Sequence, residues 1–127
     1  MRKQYHFRPS DDGLQAWDVD NLIRLTRDQP EELVALADLS EIDENWWFAF
    51  GEQPTVRNLI GHVRVMAEVD MSYPIIIDPD GRLMDGMHRV AKALHQGDAK
   101  IRAKRLPVLP PPDHVGVAPR DLPDEAS

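Results

Sequence analysis

Residues 73–106, YPIIIDPDGRLMDGMHRVAKALHQGDAKIRAKRL, carry the reading that decides the fold. Tyr73 and Pro74 lead into Ile75, Ile76 and Ile77, a β-branched run of the kind that forms a buried strand. The tetrad Asp78-Pro79-Asp80-Gly81 is strong turn chemistry, so the following Arg-Leu-Met-Asp returns as the second strand of a hairpin. Gly86 then separates that strand from a helix in which Met87, Val90, Ala91 and Leu94 share an apolar face, and Gly97 stops it. Beyond, Ile101 and Ala103 alternate with Lys100, Arg102 and Lys104, the period of a half-buried strand with a basic polar face.

The helix after Gly86 opens with His88 and Arg89, although the positive end of a helix dipole prefers anions. An anion from outside the chain would resolve the conflict. A glycine lets the backbone approach a ligand closely, the first helical amides are unpaired donors, and an arginine fork suits phosphate oxygens. The competing structural reading is that Arg89 pairs with Asp85 or a loop carboxylate and that His88 caps a neighbouring carbonyl.

Working upstream, Thr55 can N-cap a helix over 56–69, with Val56, Leu59, Ile60, Val63, Met66 and Ala67 forming a stripe spaced for burial. His62 and Arg64 lie off that stripe, which predicts a solvated surface position for both. Before it, SEIDENWWFAFGEQP (40–54) joins acidic residues to four aromatics between Trp46 and Phe50 and reads as a loop. Its rings either anchor the loop to the core or form a wall for a planar ligand or a partner protein. Residues 31–39 fit a strand or a short helix, and the flanking Pro30 and acidic loop favour a strand. Leu14, Trp17 and Leu25 predict a helix over 14–28. From Pro107 onward, six of the chain's eleven prolines crowd into a segment without aromatics, predicting a flexible or loosely wrapped tail.

The 127 residues suit one domain, expected over 1–106 with the tail at 107–127. A net charge of −7 argues against a general nucleic-acid binder, whose affinity rests on lysine and arginine neutralising phosphates. The chain has no cysteine, which excludes disulfides, thiolate catalysis and cysteine-ligated metals. WWFAF and PIII are too short to span a bilayer, and the first residues lack a signal-peptide core, so a cytoplasmic protein is expected.

On residues 73–106 the chain resembles the ParB/sulfiredoxin superfamily, whose members share a strand, a short turn, an Asp-Gly-x-His/Arg-Arg box opening a helix, and a closing strand. The resemblance implies a small mixed sheet with packed helices, an α/β (α+β) fold, to which an N-terminal helix has been added. It implies that the box, Gly86, Met87, His88 and Arg89 with Asp85 beside it, holds the phosphates of a nucleotide: ATP, ADP or CTP, with Mg2+. Sulfiredoxin's box needs a cysteine where this chain has Met87, so sulfinic acid repair is excluded, and Met87 is expected to turn its side chain to the core. Partition proteins carry a DNA-binding domain after the nucleotide domain; the proline-rich tail in its place makes DNA an unexpected partner.

The box is most similar to that of the free serine kinases, which use a glutamate from the loop after the first strand as base. Glu41, Asp43 and Glu44 lie in the comparable loop, with Glu44 and then Glu41 the expected base and Asp85 the next; a solvated acidic loop is the alternative. The chain is shorter than those kinases and has less room for an acceptor pocket. Two functions follow as expectations. One is a nucleotide-dependent small-molecule kinase or related phosphate-transfer or hydrolysis enzyme. The other is a non-catalytic nucleotide sensor or protein-interaction module, with the loop Trp46 to Phe50 as its responsive surface.

Overall fold

The computed structural model describes residues 3–124. In order, the chain forms β1 (Tyr5–Ser10), β2 (Gly13–Asp18), α1 (Val19–Thr26), β3 (Glu31–Ala35), α2 (Val56–Glu68), β4 (Ile75–Ile77), β5 (Leu83–Asp85), α3 (Met87–His95), β6 (Lys100–Arg105) and β7 (His114–Val115). Short 3-10 turns cover Leu36–Asp38, Ser40–Asp43 and Pro119–Asp121. The result is a small mixed α/β protein with two sheets and three α-helices.

The isoleucine run is the hub. β4 lies inside a four-stranded sheet of order β3-β6-β4-β5, parallel to β6 and antiparallel to β5, while β3 runs antiparallel to β6. Because side chains alternate along a strand, Ile75 and Ile77 join Leu83, Met87, Val90 and Ala103 on one face. Ile76 faces the other way, into a cluster with Trp17, Leu22, Met84 and Leu106. A strand buried on both sides reads as a continuous apolar run, and this one does. Asp78 closes the hairpin, its Oδ1 accepting from the amides of Asp80 and Arg82, both at 2.9 Å.

The N-terminal part departs from the helix expected over 14–28. Residues 13–18 are a strand, paired with β1 on one side and β7 on the other, and only Val19–Thr26 are helical. Asp18 marks the change, accepting from the Asp20 amide at 2.9 Å as an N-cap. Trp17 and Ala16 are buried by long-range pairing that outweighs the local spacing. Residues 31–35 are a strand, as expected, and the chain then tightens into 3-10 turns.

The tail also differs from a loosely wrapped segment. β7 pairs with β2, the Trp17 indole N–H donates to the Pro110 carbonyl at 2.8 Å, and Leu122 is buried. Tyr5 reaches the Pro123 carbonyl through its hydroxyl at 2.5 Å. The prolines rule out long ladder pairing but leave carbonyls as acceptors, and the N-terminal hairpin uses them.

α2 forms over its expected span, with the Thr55 hydroxyl accepting from the Asn58 amide at 3.1 Å. Its stripe, however, is not buried: Val56 is 79% exposed and Leu59 47% exposed, and α2 has no buried residue. The helix packs on α3 rather than on a sheet, and Lys92 of α3 donates to the carbonyls of Ala67 and Val69 at its C-terminal end. A periodic apolar stripe requires amphipathicity, and burial needs a partner surface that α3 alone does not provide.

Candidate functional site: the start of α3

Gly86 takes the left-handed conformation, φ 109°, at the strand-to-helix turn. The side chains of Asp18 and Thr55 cap α1 and α2, whereas no side chain caps α3. A Cβ on Gly86 would lie 2.7 Å from Ile75 Cγ2 and 2.8 Å from Arg89 Nη2, so the Arg89 guanidinium folds back over the turn. There it donates to Asp85 Oδ2 at 3.0 Å, and both side chains are mostly buried. The structural alternative for Arg89, pairing with Asp85, is therefore what the geometry contains. Burial pushes the Asp85 carboxyl above its ordinary range, with Arg89 and the Gly86 amide pulling it back. Arg89 Nε is buried with no hydrogen-bond partner, leaving one donor beside the uncapped helix end.

His88 points into a chain of polar contacts that the sequence did not reveal. Its Nε2 lies 2.8 Å from His62 Nδ1, and His62 Nε2 lies 2.7 Å from Glu52 Oε2. The Trp47 ring covers both imidazoles, 4.4 Å from the centre of His62 at an interplanar angle of 5° and 5.1 Å from that of His88. A carboxylate can only accept, so His62 carries its proton on Nε2 and accepts from His88 at Nδ1. That leaves Nδ1 of a neutral His88 as the basic end. Burial, aided by His62 and Arg89, pushes His88 down to about 4, which keeps the ring neutral at pH 7. His62 thus is not the solvated surface residue expected from its place off the stripe: its side chain is only 16% exposed.

The loop carboxylates go elsewhere. Glu41 is buried and its Oε2 accepts from Arg82 Nη1 at 3.2 Å; the same guanidinium also donates to the Ser40 hydroxyl and the Asp38 carbonyl. Glu44 is exposed and accepts from the Ser40 hydroxyl at 3.2 Å. Glu41 and Glu44 border a cavity whose far wall is Met87, Val90, Ala91 and Leu94. Arg89 sits about 200° around the helix from Met87 at 100° per residue, so the carboxylates and the Asp85–Arg89 pair flank different sides of α3. Met87 lies in the core, as its place on the apolar face of the helix predicts.

The aromatic loop serves mainly as an anchor. Trp46 stacks on His6 with ring centres 5.4 Å apart, and Phe50 packs on Phe7. Sequence reasoning missed Glu52, His62 and Trp47 as one unit because they come from a loop and two faces of a helix pair. The available signal was a histidine inside α2, His62, and another at the start of α3, His88. Among the described residues, no group of three or more histidine, aspartate and glutamate side chains is placed to hold a metal ion, and no helix is long and apolar enough to cross a membrane. Comparison of the chain with protein-family models, with curated proteins and with solved structures found no match.

Proposed function

We propose that the start of α3 is an anion site and that its ligand is the phosphate group of a nucleotide. What supports this is one arrangement: an uncapped helix N-terminus at a left-handed glycine, bordered by Arg89 with its Nε unpartnered. Free amides of Met87, His88 and Arg89 suit phosphate oxygens. An arriving phosphate competes with Asp85 for Arg89, and burial leaves the released carboxylate with a raised affinity for a proton. ATP, ADP or CTP, with Mg2+ carried on the phosphates, are the ligands of this reading. Neutral His88 gives its one N–H to His62 and so adds neither charge nor donor to the phosphate contacts.

Phosphate transfer or hydrolysis requires a group that takes the proton of the attacking hydroxyl or water. Asp85 stands beside the proposed phosphate, while Glu41 and Glu44 face the cavity on the other side of the helix; Asp85 is accordingly the first choice for base in the enzymatic version. Calorimetric titration with each nucleotide and Mg2+ tests the proposal. Arg89→Ala should weaken binding by about 1.5–3 kcal/mol, the range for a charged hydrogen bond. No heat and no thermal stabilisation by any of the three at millimolar concentration would end the nucleotide reading.

The non-catalytic reading has an observation of its own. Leu59, Ile60 and Val63 form an exposed apolar face on α2, one helix away from His88. A sensor that reports ligand at α3 to a protein docked on α2 would have such an adjacency, and would bind nucleotide without turnover.

A further inference from the structure

The polar chain from Glu52 through His62 ends at an atom of His88 that the fold does not use. With contacts of 2.7 Å and 2.8 Å running from the carboxylate to His88 Nε2, the protons leave a lone pair on His88 Nδ1. Among the described residues Nδ1 has no hydrogen-bond partner, and it is not one of the buried polar atoms left without one, so it reaches solvent. The other edge of the ring is closed, since His62 holds Nε2 and Trp47 stacks over both imidazoles. Burial keeps the ring neutral at pH 7, so the lone pair is available. An imidazole fixed at one nitrogen, backed by a second base and a carboxylate, and open at the other nitrogen is arranged as a nucleophile.

The place of the ring selects the electrophile. His88 is the second residue of α3, and Cα–Cβ bonds tilt towards a helix N-terminus, so the ring lies over the first turn, where no side chain caps the free amides. A phosphoryl group there, with about two negative charges, is favoured by the helix dipole, whereas a neutral acyl group gains nothing from it. The nearby Asp85 carboxylate is already paired with Arg89. We infer that His88 is a phosphoryl acceptor, modified at Nδ1 and not at Nε2. The donor, a nucleoside triphosphate, rests on the nucleotide reading above; the acceptor does not. An N–P bond forms at Nδ1 while the terminal P–O bond breaks, and the nucleoside diphosphate leaves with the bonding pair. The positive charge left on the ring is discharged as the Nε2 proton moves to His62 Nδ1 and the His62 Nε2 proton moves to Glu52. Water or an acceptor hydroxyl then takes the phosphoryl group and releases its own proton to solvent, and the proton on Glu52 returns along the chain to Nε2.

Phosphoramidate, a phosphoryl donor without base or sugar, tests the acceptor alone, and ATP with Mg2+ tests the donor. Each is incubated with the full chain near neutral pH; mass spectrometry reads the modified residue and imidazole NMR shifts read the nitrogen. Phosphoramidate should label His88 at Nδ1 faster than the exposed His95, and ATP should label the same nitrogen. Glu52→Gln keeps the side-chain volume and should slow the labelling of His88 by about 10²-fold, the lower end of the range for a positioned proton acceptor, while His95 is unchanged. Glu52 is a loop residue with its side chain 37% exposed, and the wild-type comparison of His88 with His95 decides the inference even if that variant fails to fold. Labelling by phosphoramidate and not by ATP would keep His88 as acceptor and end the nucleotide as donor. Attachment at Nε2, labelling of His88 no faster than His95, or a rate at His88 untouched by Glu52→Gln would overturn the inference.

Discussion

α2 and α3 present the same apolar periodicity in sequence, yet one is exposed along its stripe and the other is a pillar of the core. In α3, Val90 is 0% exposed and Ala93 1%, because the helix lies across β4 and β6. In α2 the corresponding stripe, from Val56 through Val63, looks outward. The difference teaches that spacing specifies which side chains share a face, whereas the surface opposite decides whether that face is buried. The hairpin immediately before α3 supplies such a surface. Proline- and acid-rich loops on either side of α2 do not.

The largest consequence concerns charge. Val90→Asp places a carboxylate among Ile75, Ile77 and Leu83 without a partner and should destabilise the protein by more than about 4 kcal/mol. Val63→Asp, made on the same kind of position in α2, should change stability by less than about 1 kcal/mol. Denaturant unfolding of both variants measures the contrast. Similar losses would mean that the α2 stripe is covered in solution.

Glycines sharpen the comparison because the sign reverses. Gly86→Ala requires a positive φ of 109° and meets Ile75 Cγ2 at 2.7 Å, which should cost about 1–3 kcal/mol. Gly61 lies inside α2 with nothing within 4 Å of an added Cβ. Gly61→Ala should therefore stabilise by about 0.5–1 kcal/mol through helix propensity and a less free unfolded chain. Thermal melts of the two variants should move in opposite directions; a loss at Gly61 would indicate a contact on that face.

The same contrast explains what the sequence made legible. The run from Ile75 to Arg105 was readable because each element follows its neighbour within a few residues: β-branched strand, Asp-Pro-Asp-Gly turn, glycine, helix, alternating strand. β2 was not, since Leu14 and Trp17 satisfy a helical spacing as well as a strand that is completed only by Val115, far along the chain. The tail was obscured for the same reason: Pro110 and Leu122 look unstructured until the indole of Trp17 and the N-terminal hairpin are in place. At the site, Gly86, His88 and Arg89 could be picked out from the helix-start chemistry alone. Their partners could not, because Glu52, His62 and Trp47 meet His88 only through the packing of α2 and its preceding loop against α3.

That packing buries His88 and gives α3 a pH dependence. His88 has its folded value pushed down to about 4 from 6.5, so between those values the unfolded chain binds more protons than the folded one. Stability therefore rises with pH across this window and is lost as pH falls through it. His6, buried against Trp17 and Trp46 and pushed down to about 3, acts in the same direction. Each histidine contributes at most about 1.4 kcal/mol per pH unit, and half-buried His88 less. Unfolding free energies at pH 7 and 5.5, above the range where ordinary carboxylates titrate, should fall in the wild type and fall less in His88→Gln. An unchanged slope in the variant would mean that burial does not hold His88 neutral.

The smallest expected effect isolates α2 itself. Leu59 and Ile60 are 47% and 42% exposed, so Leu59→Ser and Ile60→Ser together should shift stability by no more than about 0.5 kcal/mol each. Two exposed apolar residues at this spacing nevertheless form the middle of a face that a partner helix could cover. The measurement is made at two protein concentrations a hundredfold apart. A free face makes both the wild type and the double variant insensitive to concentration. If wild-type stability rises with concentration and the double variant abolishes the rise, association through α2 adds binding free energy to folding. In that outcome α2 is buried after all, against a second copy of the chain, and the contrast with α3 becomes one between burial within a molecule and burial between molecules.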